Sequence, residues 1–92
     1  MKIRVCFYGV LAEWVGAQET EFALREGSLF LDLSVAIGRR YGRKMPEQLW
    51  DRSQNSFVKA VWPMRGAEKI SDPRERLKEG ETIKFLLVQA GG

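Results

Sequence analysis

Residues 77–92 read LKEGETIKFLLVQAGG, and this stretch decides how the fold is interpreted. Its first five residues are typical of a turn, and TIKFLLV at 82–88 is an apolar, strand-like run. Two glycines then complete the stretch. Glycine loses the most backbone entropy on ordering and brings no side chain to a core. We therefore expect a last strand followed by a flexible tail, residues 89–92, whose glycines serve something other than packing.

Strand alternation divides the side chains of this run between two faces. Ile83, Phe85 and Leu87 share the face that we expect to contact a helix, whereas Leu86 and Val88 point the other way. Two aliphatic side chains beside the tail are candidates for binding a partner protein. Exposed aliphatics are also ordinary on a small sheet, so both interpretations stay open.

The opening segment, KIRVCFYG at 2–9, alternates in the same way. Its residues at 3, 5 and 7 are apolar and share one face, and Cys6 and Tyr8 lie on the other. If the first and last strands pair at the centre of a sheet, Tyr8 lies near Leu86 and Val88 and joins the candidate partner-binding residues. Cys6 has no neighbouring His or second Cys in this pattern, and we assign it no role.

The middle of the chain carries one helical pattern. Apolar residues recur at helical spacing from Phe30 to Tyr41. Ser28 is placed to cap the start of this helix, and Gly42 is placed to end it. Gly38 lies inside it, and we expect it either to weaken the last turns or to allow close packing.

Strand patterns surround the helix. ETEFAL at 19–24 alternates before it, and SFVKAVW at 56–62 follows a polar insertion. We expect Pro63 to end that strand and a short edge strand to come next. The order strand, strand, helix, strand, short strand, strand predicts one α+β domain over residues 1–92, with one main helix packed across a mixed sheet.

Composition excludes several kinds of chemistry. With no His and one Cys in 92 residues, a Cys/His zinc site, a Cys-held iron–sulfur cluster and a Ser-His or Cys-His nucleophilic pair are absent. We expect no metal and no bound cofactor, and a protein that binds or is acted upon rather than an enzyme. The net charge of +3 is mild and spread along the chain, so nucleic-acid binding is a weak interpretation.

Other features indicate where and how the chain works. No apolar run is long enough to span a bilayer, and the opening segment is typical of a strand rather than a signal peptide. We therefore expect a cytoplasmic protein with no membrane partner. Trp14, Trp50 and Trp62 lie in separate segments, and we interpret them as packing anchors rather than a base-stacking platform.

The chain resembles the small sulfur-carrier proteins of the molybdopterin synthase small subunit and ThiS type. The resemblance is carried by KIRVCFYGVLAEWVG at 2–16, by the REGS and RRYG segments around the helix, by LKEGETIKF at 77–85 and by Gly91-Gly92. It implies a ubiquitin-like β-grasp fold, with the first and last strands adjacent at the centre of the sheet.

The same resemblance implies a function. An activating enzyme similar to those that activate ubiquitin would use ATP to adenylate the carboxylate of Gly92. That carboxylate would then become a thiocarboxylate and donate its sulfur, most favourably in molybdopterin (molybdenum or tungsten cofactor) synthesis. Gly91 and Gly92 would form a tail narrow enough to enter the activating enzyme and a large catalytic synthase subunit. The small protein would itself be a carrier and no catalyst.

Departures from the family pattern leave its branch open. The usual Phe-Pro-Pro-Val before the glycines is replaced by FLLVQA at 85–90, and the usual Val-Asn-Gly of the third strand by Val61-Trp62-Pro63. A ThiS-type carrier for thiamine or another sulfur-containing metabolite therefore remains an alternative, as does a ubiquitin-like modifier conjugated through Gly92. A small basic RNA-binding β-grasp module is less favoured.

Overall fold

The computed structural model describes residues 1–88, in which a sheet packs against one long helix. The predictions made for the tail, residues 89–92 with Gly91 and Gly92, lie outside these residues. The elements in chain order are β1 (Lys2–Phe7), α1 (Val10–Val15), β2 (Glu19–Ala23), α2 (Phe30–Tyr41), a 3₁₀ helix (Gly42–Lys44), β3 (Trp50–Asp51), β4 (Ser56–Phe57), β5 (Val61–Arg65), β6 (Glu68–Lys69) and β7 (Thr82–Leu87).

The main sheet has five strands in the order β2-β1-β7-β5-β6, and β3 pairs with β4 in a separate small sheet. The two central strands, β1 and β7, run parallel, and the other pairs of the main sheet are antiparallel. This mixed sheet, crossed on one face by α2, confirms the predicted α+β class and the ubiquitin-like β-grasp topology. The first and last strands are neighbours at its centre, as expected.

The core lies between α2 and one face of the sheet. Val5 of β1 and Ile83 of β7 are fully buried, as are Leu33 and Ile37 of α2, and Phe85 is only 1% exposed. Alternation along the central strands therefore assigned the two faces correctly. Burial of these apolar side chains provides most of the stabilisation that holds the helix on the sheet.

The start of α2 differs from the prediction. Its N-cap is Leu29, not Ser28. The Ser28 hydroxyl turns back and donates to the carbonyl of Arg25, 2.7 Å away. The backbone N–H of Leu29 instead donates to the Asp32 carboxylate at 2.8 Å. The next two N–H groups, of Phe30 and Leu31, donate to the carbonyls of Glu75 and Pro73.

The end of α2 is shaped by the inserted segment that follows it. Gly42 does not adopt a left-handed conformation: with φ of −54° it continues into the 3₁₀ helix. The Arg52 guanidinium donates to the carbonyls of Gly42 and Met45, which explains why no glycine stop is needed there. Gly38 is the close-packing site, because a Cβ on it would lie 2.7 Å from Cζ2 of Trp50.

Pro63 does not end a strand, contrary to the prediction. It lies inside β5, opposite Phe85 of β7. Its carbonyl accepts a hydrogen bond from the N–H of Ile70 at 2.8 Å, on the side away from β7. A strand residue directs its nitrogen and its carbonyl to the same side, so the missing N–H of proline costs the β5–β7 ladder nothing.

Two further differences concern segments interpreted from weak patterns. The connection after β1 contains a short helix, α1, which ends at Gly16 in the left-handed conformation. Of the three tryptophans, only Trp50 is a buried anchor at 2% exposure, whereas Trp14 is 46% and Trp62 36% exposed. The packing-anchor prediction is therefore wrong for Trp14 and for Trp62.

Candidate functional site

The candidate site begins where the two central strands end. Because β1 and β7 are parallel and Phe7 pairs with Phe85, both strands finish at the same edge of the sheet. The N–H of Tyr8 donates to the carbonyl of Phe85 at 3.3 Å, which extends the pairing by one residue. Tyr8 and Leu86 are thereby placed side by side on the face that α2 does not cover.

A glycine turns the chain sharply at this point. Gly9 has φ of +57°, a conformation that side-chain-bearing residues rarely adopt, and α1 starts at the next residue. The turn returns Val10 to the end of β7. Tyr8, Gly9 and Val10 line a shallow hollow of about 300 Å³ together with Leu86 and Leu87.

β5 supplies another large side chain to this face. Trp62 is the direct cross-strand partner of Leu86. Because its neighbours Val61 and Pro63 are buried, alternation directs Trp62 outward. The Lys69 ammonium lies 4.4 Å from the centre of the indole ring, a cation–π contact that holds the ring against the sheet.

Val88 is the last residue that the structure describes. Its N–H donates to the carbonyl of Ala60 at 2.7 Å, so the chain still follows β5 one residue beyond β7. Its side chain shares the parity of Leu86 and is half-buried. We call the apolar side chains on this face the outer-face patch, which consists of Tyr8, Val10, Trp62, Leu86 and Val88.

Exposure within the outer-face patch is uneven. Tyr8 is 44%, Val10 39% and Trp62 36% exposed, whereas Leu86 and Val88 are half-buried. The aromatic and Val10 side chains are therefore the ones that a partner would cover most. Leu86 and Val88, the two aliphatic residues predicted from the sequence, form the floor of the patch between these more exposed side chains.

Lysines border the patch on the β7 and Trp62 side, whereas Glu13 and Glu19 line the groove that adjoins Tyr8. Lys84 is exposed on the same face of β7, two residues before Leu86, and Lys69 lies over Trp62. Apolar side chains with lysines beside them suit a partner surface that is apolar at its centre and carries carboxylates at its rim.

The patch can bind but carries little chemistry of its own. It contains the Tyr8 hydroxyl and no His, thiol or carboxylate. Across residues 1–88, no three His, Cys, Asp or Glu side chains are grouped so that they could hold a metal ion. In the same described part of the chain, no helix is both long and apolar enough to cross a bilayer. Cys6 is half-buried and lines a neighbouring groove with Glu13 and Gln18, and Tyr8 borders both this groove and the patch.

Sequence reasoning found part of this site. Tyr8 and Leu86 were predicted to lie together, and the structure places them in one hollow, with Val88 on the same face. Val10 and Trp62 were missed. Alternation from Val61 could have identified Trp62 as outward-facing, but its interpretation as a packing anchor excluded it from the candidate site. The reactive positions implied by the resemblance, Gly91 and Gly92, are beyond the described residues.

Solved structures with the same fold are numerous. SAMP1 from Haloferax volcanii matches with a TM-score of 0.81 at 13% identity, over 100% of both chains. A candidate molybdopterin converting factor subunit 1 from Pyrococcus furiosus matches with a TM-score of 0.71 at 21% identity, over 97% of this chain and 99% of that one. A chain of the BexX/CysO complex from Amycolatopsis orientalis matches with a TM-score of 0.63 at 17% identity, over 98% and 99%.

Sequence comparisons identify no relative. No protein-family model matches the chain, and no curated protein matches it. The structural likeness, at these low identities, shows the ubiquitin-like β-grasp fold alone. The proteins that share this fold include a small archaeal modifier protein and the candidate molybdopterin converting factor subunit 1, in agreement with the resemblance that the sequence predicted.

Proposed function

We propose that this chain, which has the ubiquitin-like β-grasp fold, is a sulfur carrier that works through the carboxylate of Gly92. One observation carries the proposal. The central strand β7 leads the chain to Val88, a residue of the outer-face patch that lies four residues before Gly92 in the sequence. A binding surface thus adjoins the segment that ends in Gly91-Gly92.

The distance that this segment can span supports a role for the patch. Four extended residues reach at most about 14 Å. An enzyme that acts on the Gly92 carboxylate must therefore hold the folded domain within that distance of its active site. The outer-face patch is the apolar surface nearest Val88, and we propose that it contacts the activating enzyme and, later, a large catalytic synthase subunit.

The two glycines suit the chemistry proposed for them. Without a Cβ they form the narrowest possible chain and adopt most backbone conformations, as entry into a confined active site requires. A carboxylate oxygen of Gly92 would attack the α-phosphorus of ATP and release pyrophosphate. Hydrosulfide delivered by a partner would then attack the carbonyl carbon and displace AMP, leaving the thiocarboxylate. Each step uses the main-chain carboxylate, so the carrier needs no catalytic side chain.

Molybdopterin synthesis is the use that we favour for this sulfur. The resemblance of residues 2–16 and 77–85 to molybdopterin synthase small subunits supports it, as does the fold shared with the Pyrococcus furiosus protein. In that role the chain would bind a large subunit that holds the pterin intermediate. A ThiS-type carrier would differ only in the acceptor of the sulfur.

A second function, as a protein modifier, is favoured by a different observation. The match to a Haloferax volcanii protein described as small archaeal modifier protein 1 covers 96% of this chain, with a TM-score of 0.78. A modifier would share the adenylation step and then form an amide with lysine side chains of other proteins. Immunoblots of cell extracts distinguish the two, because only a modifier yields a ladder of covalent adducts.

The activation step can be tested with ATP–pyrophosphate exchange. The proposal requires Gly92 to be the last residue of the active form. One added residue would move the carboxylate by about 3.5 Å, and misplacement on the order of 1 Å already costs a large factor in rate. We expect exchange with the wild type, and none with a chain extended by one residue or lacking Gly92. The thermal melt of all three should agree, because the core lies within residues 1–88. Full exchange from the extended chain, without trimming, would mean that the glycines are incidental.

A further inference from the structure

The edge strand β2 has an open side. Within residues 1–88, β2 pairs only with β1. The N–H of Leu24 donates to the Met1 carbonyl, and the Gln18 carbonyl accepts from the N–H of Phe7, so the even-numbered residues direct their backbone groups toward β1. The backbone groups of residues 19, 21 and 23 consequently point outward from the sheet. Such an edge can accept an additional strand.

A groove runs beside this edge, between β2 and α2. It is lined by Phe22, Ala23 and Leu24 of the β2 segment and by Ala36, Arg39 and Arg40 of α2. Its floor is apolar and its only charged lining residues are the two arginines. The groove lies on the helix side of the sheet, away from the outer-face patch.

Arg40 is held in a defined position in this groove. Its guanidinium carbon lies 4.0 Å from the centre of the Phe22 ring. Its Nη1 donates to the Thr20 hydroxyl at 2.9 Å and to the Glu21 carbonyl at 3.0 Å. Among the described residues, Nε and Nη2 of Arg40 donate to no protein acceptor, and Arg39 forms no salt bridge. A positioned guanidinium with donors to spare is suited to bind a carboxylate.

We propose that the groove between β2 and α2 binds an extended segment of a partner protein, which adds to β2 as a strand and sets an acidic side chain against Arg40. Backbone hydrogen bonds to residues 19, 21 and 23 provide the pairing. The apolar side chains on the same face of the segment pack on Leu24 and Ala36, which are half-buried in the groove, since Phe22 lies beneath Arg40. The Glu21 carbonyl has a second lone pair, so it can accept from the incoming strand while Arg40 stays in place.

The charges on β2 argue against a second β2 strand as the occupant of the groove. They also indicate which residues the partner segment carries on its other face. Glu19 and Glu21 project from the outer face of the edge, where they are exposed. Antiparallel pairing of two β2 strands centred on Glu21 would place like charges opposite each other, which is destabilising. Glu19 is already paired with Arg4, so the segment carries a Lys or Arg facing Glu21, and apolar and acidic residues on the groove side.

This proposal does not depend on sulfur transfer, because the groove and the outer-face patch lie on opposite faces of the sheet. Its test uses a phage library of random peptides about ten residues long, the upper end of ordinary strand lengths. Peptides enriched on the wild-type protein are sequenced, and a synthetic copy is titrated into ¹⁵N-labelled protein. We expect the enriched peptides to alternate between acidic or apolar residues, which face the groove, and basic residues, which face the other way. We also expect shift changes concentrated at residues 19–24 and at Arg39 and Arg40, with slower hydrogen exchange of the outward amides at 19, 21 and 23.

Three variants make the result decisive. Arg40→Gln removes the charge and should weaken the peptide about tenfold, as expected for a lost hydrogen bond to a charged group. Arg43→Gln removes a nearby charge that does not line the groove and should bind like the wild type. Ala23→Pro deletes one outward N–H without touching the β1 ladder and should also weaken binding. The proposal is overturned if no peptide is enriched, if enriched peptides shift Tyr8 and Leu86 instead, or if Arg40→Gln and Arg43→Gln bind equally well.

Discussion

Trp62 and Leu86 lie directly opposite each other in the β5–β7 ladder, on the face of the sheet that α2 leaves uncovered. Tyr8 completes this group from the other side of β7, because β1 and β7 are parallel and end together. An aromatic side chain on each flank of Leu86, beside the exit of the chain from the sheet, is the arrangement expected of a docking surface.

Leu86→Asp should weaken binding to the activating enzyme while the domain stays folded. Leu86 is half-buried on the outer face, so a carboxylate there can still reach water, and we expect a cost in stability of about 1 kcal/mol. Isothermal titration with the activating enzyme measures the loss of affinity.

Thr82→Asp is the matched control, since it places the same charge on the same face of β7 at the opposite end of the strand. It should bind like the wild type. Leu87→Asp, on the helix side, should instead destabilise the domain strongly, because Leu87 packs against the core. If position 87 tolerates aspartate and position 86 does not, the faces of β7 have been assigned the wrong way round.

Gly38→Ala should destabilise the domain, although alanine is the better helix former. The added methyl would lie 2.7 Å from Cζ2 of Trp50 and 3.1 Å from the Asn55 side-chain oxygen, so the inserted segment must move. Overpacking of this kind costs about 1–3 kcal/mol, against about 1 kcal/mol gained in helix propensity. Urea unfolding measures the net loss.

The contact with Trp50 can be isolated by a double-mutant cycle. Trp50→Leu alone opens a cavity and should be destabilising, but in its presence Gly38→Ala should become neutral or stabilising. Additive effects of the two substitutions would show that Gly38 and Trp50 do not meet in solution.

Glu81→Gln should lower the free energy of unfolding, because the Glu81 side chain connects β5 to the segment before β7. Strand alternation does not predict this contact. Its Oε1 lies 2.6 Å from Nε of Arg65, and its Oε2 accepts from the N–H of Lys78 at 2.6 Å. This hydrogen bond is the main reason that the pKa of Arg65 is raised above its usual value, with Glu75 adding to it. The Arg65 side chain is 22% and the Glu81 side chain 11% exposed, so screening by water is incomplete.

We expect a loss of about 1.5–3 kcal/mol from Glu81→Gln in urea unfolding, since hydrogen bonds to charged groups lie in that range. Glu75→Gln removes the more exposed partner of the same arginine and should cost less than about 1 kcal/mol. Equal effects of the two substitutions would argue against a special role for Glu81.

Asp51 should titrate at a lower pH than an ordinary aspartate. Its Oδ1 accepts from the Ser53 hydroxyl at 2.6 Å and from the N–H groups of Ser53 and Gln54. The Ser53 hydroxyl is the largest cause of the lowering of the Asp51 pKa from 3.8. A folded-state pKa below the unfolded value stabilises the β3–β4 hairpin above about pH 4. That stabilisation is lost as the pH falls through the folded-state pKa.

An NMR pH titration that follows the Asp51 carboxyl carbon checks this expectation. Ser53→Ala removes the strongest of these hydrogen bonds and should raise the midpoint toward 3.8. A midpoint that stays the same in both proteins would show that the hairpin turn is not formed as described.

The faces of the strands could be predicted from sequence because side chains alternate between the two faces of β1 and β7 with a period of two. The central pairing of these strands followed from their apolar character together with the family resemblance. The β5–β7 register could not be predicted, since cross-strand partners such as Trp62 and Leu86 are set by long-range pairing. The Pro63 prediction failed because the cost of proline depends on which side of the strand its nitrogen faces.

Side-chain contacts between segments that are distant in sequence could likewise not be predicted. Gly38 was recognised as unusual, but nothing in the helix pattern identifies Trp50 as the side chain that packs on it. Nothing in the sequence distinguishes Arg65 and Glu81 from the other charged residues, and only the fold brings them together. Val10 was lost from the candidate site because a positive φ at Gly9, rather than any pattern of apolar residues, places it beside Leu86.

In the proposed function Gly92 carries the reactive carboxylate, and intact-mass spectrometry of the purified chain tests this most directly. The chain is co-expressed with candidate activating enzymes, alongside a variant that lacks Gly92. We predict a mass increase in the wild type equal to the exchange of one oxygen for sulfur, localised to the Gly92 peptide and absent from the variant. An unmodified wild-type chain in the presence of an enzyme that demonstrably adenylates it, or a modification located away from Gly92, would contradict the assignment of this protein as a sulfur carrier.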